Sequence, residues 1–349
     1  MKFKFLSILL LVSANLFSQE INKDKLDNYI TYIENHNGGI GSLSIYKDGR
    51  EIYNRSFGQE KLIDVNYNKN TKYQIASVTK MITATLILKL VEESQLKLDN
   101  KLSDYYPEIP NSAKITIKNL LEHTSGLGNF AIKNGAIWVT EKVSEKELLE
   151  EIKKQGVSFE PNEKVLYSNS AYLLLRMIIE KKYKKDYNKI VEEKIAKPLH
   201  LNNFTSIKST TSNTFKSYKF LENWTEIKDI EYTNVIGVGD IASTTEDMNI
   251  LINSLFQYKI VKKEIFEIMK PVIGKENWGR GLALFEYGEN LFLGHSGDVL
   301  GSHSRLIYNP KDKISISYCT NGERVPANTF VENIVSILYK EEFKLPEIR

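Results

Sequence analysis

The strand signals of this chain lie at its two ends and its helical signals lie between them, which narrows the folds open to it. Near the start, an alternating run over residues 41–57 is interrupted by Asp48-Gly49, a pair that favours the positive φ angles of a tight hairpin turn. Near the end, residues 282–286, 290–294, 302–308 and 313–320 read as strands, with turns at 287–290 and 309–312. Between these, apolar residues recur at helical spacing over 77–93, 115–121, 144–154, 171–182 and 187–194, and a last amphipathic helix covers 327–339. The polar stretch 205–228 reads as a long connection. Strands at both ends can satisfy one another's backbone groups in a single antiparallel sheet covered by helices. The expected architecture is therefore α+β, with a sheet part over about 22–95 and 236–345 and an inserted helical lobe over about 96–235.

The first residues stand apart from this pattern. Lys2 and Lys4 precede an apolar run to about Phe17, and a small residue, Ser18, precedes Gln19-Glu20. That is the layout of a secretory signal peptide cut after Ser18, leaving 19–349 as the exported chain, secreted or periplasmic. The run is shorter than the roughly 20 residues that span a bilayer, so no stable membrane anchor is expected. A net charge of +3, from 47 basic and 44 acidic residues, leaves little excess to neutralise a phosphate backbone, so nucleic acid is not an expected partner. The single cysteine, Cys319, lies in an alternating apolar run and reads as a buried strand residue. The five histidines form no recognisable metal-ligand spacing, and nothing in the sequence calls for a cofactor.

The chemistry concentrates at Ser77-Val78-Thr79-Lys80. A hydroxyl and an amine three residues apart share one face of a helical turn. A partly desolvated lysine there can lose its proton near neutral pH and take the one from the serine. Ser44-Ile45-Tyr46-Lys47 and Ser94-Gln95-Leu96-Lys97 have the same spacing. Ser44 falls in a strand, which puts its lysine on the opposite face, and Ser94 at the polar end of a helix. Only Ser77 opens a long apolar helix.

Two further segments can supply a cleft between sheet and lobe. Tyr167-Ser168-Asn169 precedes the 171–182 helix, and a phenol at such a junction, near a lysine ammonium, can ionise early and act as a base. Tyr232-Thr233-Asn234 repeats the pattern and, taken alone, either tyrosine reads as structural. Gly294-His295-Ser296-Gly297-Asp298 ends a strand, where glycines let backbone approach a ligand and an edge N–H can meet an oxyanion alongside the N–H of Ser77.

In this order, Ser-x-x-Lys, Tyr-x-Asn and His-Ser-Gly resemble the three motifs of the serine β-lactamase-like hydrolases, a group that includes class C β-lactamases, D-alanyl-D-alanine carboxypeptidases, esterases and D-aminopeptidases. Leu120 to Leu127, containing His123-Thr124-Ser125-Gly126, also matches, as do Lys197-Pro198-Leu199, Gly239 with Ser243-Thr244 and Asp247, and Trp278-Gly279 with Gly281-Leu282. The resemblance spans about 38 to 340. It implies Ser77 as the acylated nucleophile and Lys80 as its base or as the group that lowers its barrier. Tyr167 would relay the proton, and Asn169 would orient Lys80 and bind a substrate amide. His295, Ser296 and Gly297 would form the substrate strand, with the N–H of Asp298 completing an oxyanion hole. Whether Lys80 or Tyr167 is the base stays open. The His123 loop is assigned a structural role.

His295 stands where class C β-lactamases carry lysine, which replaces a fixed cation by a group that titrates near pH 6.5. Asn162 stands where glycine is common, a change that asparagine's tolerance of the left-handed region makes mild. The expected function is an exported serine hydrolase acting through an acyl-enzyme on a small-molecule or peptide substrate, an amide or ester. The alternatives are a β-lactamase proper or a non-catalytic penicillin-binding-protein-like binding protein. A nucleophile-elbow esterase is disfavoured, because the chain has no Gly-x-Ser-x-Gly.

Overall fold

The computed structural model describes residues 21–62, 67–207, 213–274 and 277–348. The expected signal segment, with its cut after Ser18, lies outside them.

Two stretches far apart in sequence build the main sheet. β1 (Gly39–Lys47) and β2 (Arg50–Phe57) form the hairpin, and Asp48 and Gly49 have φ of 51° and 75°, the positive pair that a two-residue turn requires. β10 (Ala283–Tyr287), β11 (Asn290–Asp298), β12 (His303–Asn309) and β13 (Ile314–Glu323) follow one another as an antiparallel meander. β13 then pairs with β1, closing a six-stranded antiparallel sheet in the order β10-β11-β12-β13-β1-β2. The expected α+β sheet drawn from both chain ends is the one observed.

Strand alternation divides the sheet into two faces. Leu43, Ile45, Ile316 and Tyr318 meet Leu26 and Ile30 of α1 (Lys23–Asn35) and Phe330 and Ile334 of α9 (Ala327–Tyr339) in one core. The opposite face carries Ser44, Ser315 and Cys319 and packs on α7 (Thr245–Phe256). There the Asn253 amide donates to Ser315 Oγ at 2.7 Å, the Asn249 amide donates to Ser44 Oγ at 3.0 Å, and Met248 Sδ lies 3.6 Å from Cys319 Sγ. Cys319 is a buried free thiol in a strand, as its sequence context implies.

A second, larger core gathers α2 (Thr79–Glu92), α3 (Ile117–Leu121), α4 (Glu145–Gln155), α5 (Asn169–Tyr183), α6 (Tyr187–Val191) and α8 (Lys263–Met269). Beside it β3 (Tyr73–Gln74), β9 (Ile241–Ser243) and β6 (Thr205–Ser206) make a small sheet. Two hairpins, β4 (Ile132–Lys133) with β5 (Ala136–Ile137) and β7 (Tyr218–Phe220) with β8 (Trp224–Glu226), complete the strands.

The structure departs from the sequence reading in four places. β3, β4, β5 and β9 fall where no strand was expected. α1, α7 and α8 fall where no helix was expected. The 205–228 connection contains β6, β7 and β8. β11 runs on to Asp298, so His295 to Asp298 lie inside the strand. Because β10 pairs only as far as Gly294, this last part of β11 is bonded to β12 on one side. Its other edge faces the helical part. Among the described residues, no helix is long and apolar enough to cross a membrane.

Candidate active site

Ser77 is delivered by a sharp turn. The Ile75 N–H donates to the Ile241 carbonyl at 2.9 Å, fixing the chain at the end of β3. Ala76 then takes φ 45° and a short 3₁₀ turn, Ala76–Val78, leads into α2. A left-handed alanine costs roughly 1 kcal/mol, and such strain persists where the surroundings impose it. α2 is buried on almost every side, which fixes Lys80 on the turn after Ser77.

Lys80 Nζ lies 2.9 Å from Ser77 Oγ and 2.9 Å from the Val238 carbonyl oxygen. The side chain is fully buried, and burial holds its pKa well below the ordinary lysine value. A neutral amine in this position has a lone pair within reach of the serine proton. The two competing pairs are not so arranged. Ser44 donates to Glu51 Oε2 at 3.1 Å in mid-strand, and Ser94 is exposed in the turn after α2.

Tyr167 is held by the loop carrying His123. Leu166, Asn162 and Ser158 donate backbone N–H bonds of 2.9 Å each to the carbonyls of His123, Thr124 and Gly126. Asn162 adopts φ 70°, the left-handed conformation its residue type allows. The Ser168 N–H donates to His123 Nδ1 at 3.1 Å, and Ser168 Oγ caps α5 by accepting from the Ala171 N–H at 3.1 Å. The Tyr167 ring centroid is then 5.0 Å from Lys80 Nζ, 4.5 Å from the His123 ring and 5.3 Å from the Trp278 ring. Its hydroxyl is buried without a hydrogen-bond partner among the described residues. Burial pushes the phenol pKa up, and the Ser77 side chain draws it back only in part. The expectation that a lysine ammonium helps Tyr167 ionise is corrected, because burial suppresses both charges.

Asn169 opens α5. Its amide donates to Asn129 Oδ1 at 3.0 Å, and its own Oδ1 is buried without a partner among the described residues. It does not hold Lys80, contrary to the implied role; the Val238 carbonyl does.

β11 passes against the Ser77 turn. His295 is buried, and its Nδ1 is 2.5 Å from the Ser296 carbonyl. That acceptor places the ring proton on Nδ1 and leaves Nε2 a lone pair. Burial, with Lys80 adding to it, pushes the imidazole down to about 3. The expected titration near pH 6.5 is therefore corrected: His295 is neutral. Gly297 packs directly on the turn. By alternation Ser296 shares the opposite face with Asp298, whose carboxylate lies 2.9 Å from Arg305 Nη1 and 2.9 Å from His303 Nδ1. Burial pulls that carboxyl up, but these two partners more than offset it and leave it below its ordinary value.

Sequence reasoning missed three contributors. His123 is buried and held neutral, first by burial, and stacks on Tyr167. Trp278 is edge-on to His295 at 5.5 Å and to His123 at 5.7 Å. In the sequence it stands only as part of the Trp278-Gly279 motif. The Val238 carbonyl is a backbone group with no sequence signal. Tyr232 donates to Asp229 Oδ2 at 3.0 Å in a 3₁₀ turn, in keeping with a structural tyrosine. Among the described residues, no cluster of side chains is suited to a metal ion.

An antiparallel sheet flanked by helices, with a half-buried serine beside a fully buried lysine facing the partly unpaired end of one strand, defines the β-lactamase and penicillin-binding-protein-like class of serine hydrolase folds. The Beta-lactamase family profile matches residues 31–336, and the chain belongs to that family. It is 28% identical over 261 residues to the putative penicillin-binding protein PbpX of Bacillus subtilis, covering 74% of this chain and 64% of that protein. It is 28% identical over 336 residues to protein flp of Staphylococcus aureus, covering 87% and 67%. The chain thus spans about two thirds of the length of these relatives. In structure it is similar to the D-amino acid amidase of Ochrobactrum anthropi SV3, at TM-score 0.79 and 23% identity over 91% of this chain and 99% of that one. It is also similar to the octameric penicillin-binding protein homologue of Pyrococcus abyssi, at TM-score 0.78 and 24% identity over 92% and 78%.

Proposed function

We propose that this protein is an exported serine hydrolase that cleaves amides or esters bearing no carboxylate beside the scissile bond, through an acyl-enzyme at Ser77. The observation that carries the reading is the fully buried Lys80 Nζ, 2.9 Å from Ser77 Oγ and depressed toward neutrality. Ser77 Oγ attacks the substrate carbonyl carbon while its proton passes to Lys80. The N–H groups of Ser77 and Asp298 receive the oxyanion. As the tetrahedral intermediate collapses, the Tyr167 hydroxyl protonates the leaving nitrogen or oxygen and recovers a proton from the Lys80 ammonium. Water then attacks the acyl group, giving its proton to the same relay, which returns it to Ser77 Oγ as the Oγ–acyl bond breaks and the acid leaves. With Tyr167 protonated and Lys80 neutral, lysine is the base and tyrosine the acid in acylation. The unpartnered Asn169 Oδ1 suits an N–H of the substrate.

Neutral His295 offers no cation to pair with a substrate carboxylate, which favours substrates without one beside the scissile bond. The D-amino acid amidase and the D-stereospecific amidohydrolase of Streptomyces sp. among the structural neighbours make amino acid amides of both hands the first substrates to test. Export rests on the sequence of residues 1–18. The test is labelling with a fluorophosphonate probe followed by peptide mapping. Ser77 should carry the label in the wild-type protein, and Ser77→Ala should abolish both labelling and amide turnover while the protein stays folded. Label at Ser44 or Ser94, or none on the wild-type protein, overturns the assignment; the second result would favour a binding role.

A further inference from the structure

We infer that Asp240 is a positioning residue for Lys80, acting through the Val238 carbonyl to which the amine donates. The inference rests on the reading of Lys80 as the base. Asp240 lies just before β9 and is fully buried. Its Oδ1 accepts the Gly237 N–H at 2.7 Å, and its Oδ2 accepts the Ser206 hydroxyl at 2.5 Å and the Ile207 N–H at 3.2 Å. The Gly237 carbonyl in turn accepts the Thr83 hydroxyl of α2 at 2.6 Å, and Thr83 Oγ1 is 2.7 Å from the Tyr187 hydroxyl. Gly237 is thereby held at both its N–H and its carbonyl. It has φ 73°, and a Cβ there would stand 2.4 Å from Arg176 Cγ. The Val238 and Gly239 N–H groups both donate to the Val235 carbonyl at 2.8 Å. Val238 thus sits between two clamped residues, and its carbonyl points at Lys80 Nζ, 2.9 Å away.

Three donors converge on Asp240, and only a carboxylate can accept from all of them. An asparagine would turn an NH₂ against at least one. The charged group facing Asp240 is Arg176 of α5, which is shared with Glu145 at 2.8 Å and Glu180 at 2.6 Å; Tyr187 of α6 faces it as a neutral phenol. Burial outweighs the donors and Arg176, pushing the carboxyl up to about 6. A carboxylate with a raised pKa makes the folded state less stable as pH rises from the ordinary value through about 6. The anion is therefore carried at a stability cost at neutral pH, which fits a residue kept to align the base. Below about 6 the carboxyl takes a proton and becomes a donor facing donors, so the loop holding the Val238 carbonyl loosens and Lys80 loses its alignment.

The test uses the full chain and measures the second-order rate of fluorophosphonate labelling at Ser77 from pH 5 to 9, with melting temperature as the check on folding. Asp240→Asn should label at least about tenfold more slowly at pH 7.5, the scale of a misplaced catalytic group. It should also lack the fall in rate expected of the wild-type protein near pH 6, where the Asp240 carboxyl takes up its proton. Thr83→Val, which removes the other clamp and leaves Asp240 in place, should be slowed but keep that fall, and Thr83→Ser should restore the rate. Variants that label at the wild-type rate, or an Asp240→Asn profile that keeps the fall near pH 6, overturn the proposal. If Asp240→Asn does not fold, Thr83→Val decides: a wild-type rate overturns the proposal and a slowed one supports it. An unlabelled wild-type protein overturns the Ser77–Lys80 reading and this inference with it, whereas a labelled wild-type protein with unaffected variants overturns this inference alone.

Discussion

A Cβ added to Gly297 would stand 2.9 Å from the Ser77 amide nitrogen and 2.2 Å from the Ile75 carbonyl oxygen. Strand β11 and the Ser77 turn therefore meet backbone to backbone, which only glycine permits. The contact sets where the free edge of β11 lies relative to Ser77, and so whether two N–H groups can point at one oxygen.

Gly297→Ala follows directly from that contact. Besides the Ser304 hydroxyl at 2.6 Å, the atoms it meets are backbone and cannot rotate away, so β11 must shift outward. We expect a destabilisation of about 1–3 kcal/mol, the usual cost of overpacking. Labelling of Ser77 should fall much more than stability does. A variant with wild-type labelling would show that the strand does not set the oxyanion geometry.

Tyr167 and Tyr232 carry the same Tyr-x-Asn signature but sit in different surroundings. Tyr167→Phe should lower turnover by about 10²–10⁴, the range for a positioned acid–base group. It should change stability little, because the hydroxyl it removes is buried with at most a weak interaction with Ser77. Tyr232→Phe removes a hydroxyl bonded to Asp229, so it should cost about 1 kcal/mol of stability and leave the rate constant per folded molecule unchanged. Equal kinetic effects would mean that the first tyrosine is not the relay.

The contrast also shows what could be read from the chain. The meander β10 to β13 and the β1–β2 hairpin were legible because their residues alternate cleanly and their turns carry glycine, proline or Asp-Gly. Ser77 and Lys80 were legible from helical spacing. α7 was not, because it is buried nearly all round and its Asn249 and Asn253 are bonded to strand groups at core positions, leaving no polar face to mark a helix. α1 was within reach, since Leu26, Tyr29, Ile30 and Ile33 follow helical spacing behind Asn22, which caps the helix. Charge state was not legible. His295 and Lys80 have ordinary values in a sequence and depressed ones only once the fold surrounds them with apolar groups.

For His295, burial leads to a flat pH response. Because the imidazole is pushed down to about 3, KM for a carboxylate-bearing substrate should not rise between about pH 6 and 8, the range in which a free imidazole loses its charge. The stability effect has a definite sign. The unfolded histidine takes up a proton below about pH 6.5 and the folded one does not, so the contribution is complete above that pH and declines as pH falls toward 3. His295→Asn should therefore lose less melting temperature between pH 7 and pH 4.5 than the wild-type protein. An imidazole resonance of His295 that titrates near pH 6.5 in an NMR experiment would refute the buried neutral form.

Lys80 gives the sharpest separation of stability from activity. The unfolded lysine is protonated up to about pH 10.5, whereas complete burial holds the folded one's pKa well below that, so the residue makes folding less favourable below its unfolded pKa and less so as pH rises. Lys80→Met removes that dependence. The melting temperature of the wild-type protein should thus gain on that of Lys80→Met between pH 7 and pH 9. Both Lys80→Met and Lys80→Arg should lose about 10²–10⁴ in Ser77 labelling, the methionine for lack of a base and the arginine because a guanidinium keeps its proton. Arginine also has no room beside Ser77 and Val238, so it should melt earlier than methionine. A melting difference that does not change with pH would mean that Lys80 stays protonated in the fold, and the proton would then have to leave Ser77 by way of Tyr167.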